Sequence, residues 1–204
     1  MEDGPLEVYQ EDYEIQKPFW TWEAINDWQK RIKGYTDEQK KFYNDMVPKI
    51  GELKNLIASD QGWEVLAESK KDDVIVETKR SIRGFYIMRA NGMIDYPAKD
   101  IFRFICYTPM KPQWDLNNDQ TVYKKKVGVN AYIVYSRTVK KFVISPRDFV
   151  VNLIQNTEAD GTTYYCASST DCEFEVPEVS NVIRGQTPLS GFYMKPDPND
   201  PNKT

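Results

Sequence analysis

Apolar positions along the chain change their period at about residue 62. Before it, Phe42, Met46, Ile50, Leu53 and Ile57 recur at intervals of three and four, the spacing of one buried helix face. Thr36-Asp-Glu-Gln39 precedes this run and has the form of a capping box. The pattern predicts an amphipathic helix from Thr36 to about Ala58. Pro48 falls inside it and is expected to kink or split it, since proline lacks a backbone donor and crowds the preceding turn.

Beyond Gly62 the period shortens to two. Residues 63–68 and 74–78 flank the charged stretch Lys70 to Asp73 and predict a hairpin. Residues 85–90 predict a third strand interrupted at Asn91-Gly92. Pro97 then opens a helix with Ile101, Phe102, Ile105 and Cys106 on one side. Strands follow at about 120–127, 131–139, 147–156 and 163–171, with Asp160-Gly161 as a hairpin turn. Short strand pieces at 182–184 and 191–194 precede a proline-rich end. Helix, three strands, helix and an antiparallel series make an α+β domain. Within it, Ser145 to Ile154 stands out: a turn at Pro146, then a strand apolar on both faces. Such a strand is either covered on each side or lines an enclosed space.

Composition narrows the chemistry. The 204 residues fit one domain, and the formal charge of −4 argues against nucleic acid. No apolar run approaches the length of a membrane span, and the acidic start is no signal peptide, so a cytoplasmic location is expected. The chain has no histidine, which removes imidazole bases, Ser-His and Cys-His pairs and His-containing metal sites. Cys106, Cys166 and Cys172 lack metal-site spacing and read as buried thiols. No pair among the 31 acidic residues is singled out. An enzyme, a metal and a cofactor are therefore not expected.

Residues 1–35 read as an acidic, Trp-rich extension and 36–204 as the domain proper. Trp20, Trp22 and Trp28 carry much apolar area: they fold back on the domain or anchor a protein partner.

Several short matches, in order, resemble the START family of lipid-transfer domains. They are Gly62-Trp63, Ala90-Asn-Gly-Met-Ile94, Trp114-Asp115, Pro146-Arg-Asp-Phe-Val150, Asp160-Gly161, Pro177, Val182-Ile-Arg184 and Leu189-Ser-Gly-Phe192. The resemblance implies a helix-grip fold: a curved antiparallel sheet around a carboxyl-terminal helix, enclosing one sterol, phospholipid or ceramide. The chain given ends at Thr204, ahead of the final strand and gripping helix that the resemblance implies. The expectation is a longer parent chain or a wall supplied by another protein.

Sterol-handling members place an acidic residue and an arginine in the tunnel, where this chain has Val134 and Leu153. Strand alternation adds Tyr132, Phe149 and Val151 to that lining, which makes it apolar. Lys140, Lys141 and Phe142, with Val143 and Ile144, fall in the loop that the resemblance puts near the tunnel mouth and a transient membrane surface. Trp114, Asp115, Pro146, Arg147, Asp148 and Arg184 read as framework. Arg147 and Asp148 are expected to pair and pin the turn, and Arg184 to pair with Glu173 or Glu175. Two functions follow: non-covalent lipid binding with transfer between membranes, or a START-like accessory subunit using its extension and exposed sheet as an interface.

Overall fold

The computed structural model describes residues 35–81, 84–128, 130–142, 144–170 and 176–204. Helix α1 (Asp37–Ala58) starts at the expected capping box: Thr36 Oγ1 accepts from Gln39 N at 3.2 Å, and Gln39 Oε1 accepts from Thr36 N at 3.0 Å. It runs through Pro48 as one element, against the expected split. Pro48 and Asn44 are both exposed, so the carbonyl that loses its helical partner lies where water can reach it.

Strands β1 (Glu64–Ser69), β2 (Val74–Arg80) and β3 (Tyr86–Gly92) form an antiparallel sheet in that order. The expected interruption at Asn91-Gly92 is absent, and these residues pair with Ile75 and Val74. A Cβ at Gly92 would lie 2.8 Å from Asp73 O. The glycine thus marks a close backbone approach to the preceding turn rather than a break.

Helix α2 (Ala98–Cys106), a single 3-10 turn and the short helix α3 (Lys111–Trp114) connect to the larger sheet. This sheet has the order β4 (Asn118–Gly128), β5 (Ala131–Thr138), β6 (Arg147–Thr157), β7 (Thr163–Ser169), β9 (Ser190–Met194). Its path is antiparallel, as expected, except that β8 (Ile183–Arg184) lies parallel to the start of β6. The β6–β7 hairpin closes at Asp160-Gly161, with Gly161 at φ +86°. Asp160 Oδ1 accepts from Thr162 N at 2.9 Å, which lowers the Asp160 pKa.

Alternation along β5 and β6 divides the core into two. Ile133, Tyr135, Val150 and Ile154 pack against Phe42, Tyr43, Met46, Ile50 and Leu53 of α1. Tyr132, Val134, Val151 and Leu153 cluster on the other side with Tyr123 and Ala167. The doubly apolar strand is explained: α1 covers one face, and the other packs into a second buried cluster. Among the described residues no helix is long and apolar enough to cross a membrane. The 1–34 segment with Trp20, Trp22 and Trp28 lies outside the described residues, as do Val143, Cys172, Glu173 and Glu175.

Candidate functional site

The second cluster is where the sequence-predicted lining falls. Leu153 is 1% exposed, Val134 2%, Tyr132 6% and Val151 7%. Phe149 is half-buried and packs at its border. Register brings them together, since Val134 pairs with Val151 and Tyr132 with Leu153 across β5 and β6. A Cβ on Gly185 would come within 2.4 Å of the Phe149 ring, so glycine lets the β8 segment lie against that ring. Along β6 the same face begins at exposed Arg147 and continues past Leu153 to Gln155.

One end of the face is polar; sequence reading singled out Tyr132 there, but not Tyr123 or Gln155. Tyr123 and Tyr132 rings lie 4.9 Å apart. Tyr123 OH donates to the Cys106 carbonyl at the end of α2 (3.1 Å) and accepts from Gln155 Nε2 (2.7 Å). Helix α2 also packs against β7 and β9. Gln155 continues the Phe149, Val151, Leu153 alternation, which was the available signal; Tyr123 had none, because bulges shift the β4 register.

The framework differs from expectation in its pairing. Asp148, 1% exposed, accepts from Arg184 Nε at 2.7 Å and Nη2 at 3.2 Å, not from Arg147. Arg184 also donates to Val176 O at 3.2 Å, and its bond to Asp148 raises its pKa. Arg147 is exposed, and its guanidinium donates to Ser145 O at 3.1 Å. The physical reason is topological: strand alternation puts Arg147 on the Phe149 and Val151 face at the exposed start of β6, while parallel β8 delivers Arg184 beside Asp148 on the opposite face. Pro146 accepts from Ile183 N at 3.0 Å and so helps to seat β8. Trp114 is half-buried with its ring 6.0 Å from Phe104, and Asp115 accepts locally from Asn117 N at 3.1 Å.

The loop after β5 holds Lys140, Lys141 and Phe142, all exposed, with Phe142 at 99%. Lys141 donates to Asn117 Oδ1, so one of the two lysines is tied to the domain. The thiols are inert by environment: burial pushes Cys106 well above the ordinary thiol range and Cys166 up to about 12. A groove of about 540 Å³ beside α1 involves Pro48, Glu52, Asn55, Leu56 and Lys79 and no residue of the Leu153 face. It is wide open to solvent and lacks the enclosed apolar lining that a lipid chain needs.

Comparison with known proteins agrees with this fold. The chain is similar to the mitochondrial steroidogenic acute regulatory proteins of Rattus norvegicus (20% identity over 174 residues) and Danio rerio (21% over 153). These alignments cover 83% and 74% of this chain but 60% and 53% of the relatives' lengths. Among solved structures, human StAR-related lipid transfer protein 5 superposes with a TM-score of 0.74 at 19% identity, covering 81% of this chain and 78% of that one. Human STARD10 gives 0.65 at 15% identity, covering 72% and 60%. Such identities establish the fold alone. The START domain family model, however, matches residues 51–204, and the chain belongs to that family.

Proposed function

We propose that this protein binds one lipid non-covalently against the Tyr132, Val134, Phe149, Val151 and Leu153 face and carries it between membranes. The observation behind this reading is the second apolar cluster, on the side of the sheet that α1 does not cover. Its membership of a family of lipid-transfer domains supports the same use. Burying a chain of about 16 carbons contributes on the order of 10 kcal/mol, at about 0.8 kcal/mol per methylene. Spontaneous release into water is then negligible, and exchange takes place at a membrane. Exposed Phe142 is suited to enter the interface, and Lys140 to meet anionic headgroups. No step needs a catalytic group or a cofactor, and the location that fits is cytoplasmic.

A second reading is an accessory subunit that docks through the smaller sheet. It is favoured by Leu66, Tyr86 and Met88, which are 58%, 69% and 62% exposed. Native mass spectrometry of the purified protein separates the two. A stoichiometric lipid adduct, with a sterol or phospholipid mass, is expected. A lipid-free chain that gains its folded charge-state distribution only with a protein partner overturns lipid carriage in favour of the subunit.

A further inference from the structure

Ser145 precedes Pro146 in the loop between β5 and β6. Two other hydroxyl residues in the sequence are followed by proline, Thr108 and Thr187. Thr108 lies in the 3-10 turn after α2 and is partly buried. Thr187 is partly buried too, its N–H donating to Ser169 Oγ at 2.6 Å and its carbonyl accepting from Ser169 N at 2.7 Å. Of the three, Ser145 is the one that is exposed and belongs to no helix or strand. The proline behind it disfavours helical backbone and holds it extended, the form in which a chain enters a protein-kinase groove.

The flanking charges are cationic. Lys140, Lys141 and Arg147 are all exposed, and Arg147 bends back over the serine with Nη1 3.1 Å from Ser145 O. Asp148, the nearest acid in sequence, is buried on the opposite face of β6 and already paired with Arg184. We infer that Ser145 is a phosphorylation site for a proline-directed protein kinase, and that its phosphate, held by Arg147, switches off the attraction of this loop to anionic membranes. The kinase moves the γ-phosphoryl group of ATP to Ser145 Oγ. The new O–P bond forms as the bond to the bridging oxygen breaks, ADP leaves, and the hydroxyl proton passes to the kinase's catalytic carboxylate. Phosphoserine carries a charge of about −1.5 to −2 and three acceptor oxygens, which suit the planar fork of an arginine. The positive charge of Lys140, Lys141 and Arg147 together then falls to about one. Losing about two charges at an anionic surface weakens binding about thirtyfold. The inference rests on the membrane contact proposed for this loop and adds its regulation.

In the test, the full chain is incubated with ATP and a mitogen-activated protein kinase, and the phosphate is located by peptide mass spectrometry. It should map to Ser145 and not to Thr108 or Thr187. Sedimentation with vesicles of phosphatidylcholine and phosphatidylserine, against phosphatidylcholine alone, then reads the switch. The phosphoprotein should bind the anionic vesicles about thirtyfold more weakly, with the difference shrinking as salt rises. Ser145→Glu, with one negative charge, should give about a fivefold loss. Ser145→Ala should bind like the unmodified protein and ignore the kinase. Phosphorus NMR reads the clamp: the phosphate's second pKa should lie below about 6, and Arg147→Ala should return it there. No phosphate at Ser145, or anionic-vesicle binding that survives both phosphorylation and Ser145→Glu, overturns the inference. A second pKa that Arg147→Ala does not move overturns the clamp. An unmodified chain indifferent to vesicle charge overturns the membrane contact and the switch together, while phosphate mapped to Ser145 would still stand as the modification.

Discussion

The two sheets are built from similar alternating sequences yet are held by different forces. In the six-stranded sheet, β5 and β6 are buried on both sides, by α1 and by the second cluster. In the three-stranded sheet, Val65, Leu66, Tyr86 and Met88 remain exposed, and polar contacts centred on Arg89 tie the sheet to the domain. Arg89 bonds Glu77 at 2.7 Å and Asp60 at 3.1 Å, and its ring-stacked guanidinium lies 4.4 Å from the Trp63 centroid. It also caps α1 by donating to the carbonyls of Leu56, Ile57 and Ser59, where a cation is favoured. The lesson is that strand pattern alone does not tell whether a face is covered. Coverage decides which sheet carries stability and which surface is left for a partner.

Substitutions can break this contrast, starting with the buried ion pair of the larger sheet. Arg184→Ala leaves Asp148 buried without its counterion and should cost about 3–5 kcal/mol in urea unfolding. Leu153→Ala should cost about 2–5 kcal/mol, whereas the same change at exposed Leu66 should stay within about 0.5 kcal/mol. Equal losses at the two leucines would erase the distinction between the sheets. Arg89→Ala should cost about 2–3 kcal/mol, with amide hydrogen exchange accelerating first in β1–β3. Arg147→Ala should change stability by no more than about 0.5 kcal/mol, since its side chain is exposed. The smallest effect belongs to Asp160. Its folded pKa is lowered, so its contribution is present above the unfolded carboxylate pKa and fades as pH falls through the folded one. Asp160→Asn should make acid unfolding of the β6–β7 hairpin slightly less steep, as followed by exchange.

Much of this arrangement was legible in the residues because it is local or periodic. The capping box at Thr36 and Gln39 needs four residues to be seen, and the period-two pattern sorts Tyr132, Val134, Val151 and Leu153 onto one face. The motifs running from Gly62-Trp63 to Phe192 placed the chain in its family. What stayed hidden depends on contacts between distant positions. Arg184 reaches Asp148 across 36 residues of sequence, and only the parallel seating of β8 makes that pair. Arg89 finds its helix carbonyls about 30 residues away. Pro48 was misread because the local cost of proline was visible, while its exposed position on α1 was not. Gln155 meets a hydroxyl 32 residues away, a contact that no pattern in β6 encodes.

The claim at the centre is that the lipid lies against the face opposite α1. Photo-crosslinking tests it directly, using a vesicle-borne fatty-acyl phosphatidylcholine and a sterol that each carry a diazirine. Peptide mapping should find label concentrated in residues 132–134 and 149–155. Label confined to the exposed side chains of β1–β3, or to the groove beside Pro48 and Lys79, would contradict it.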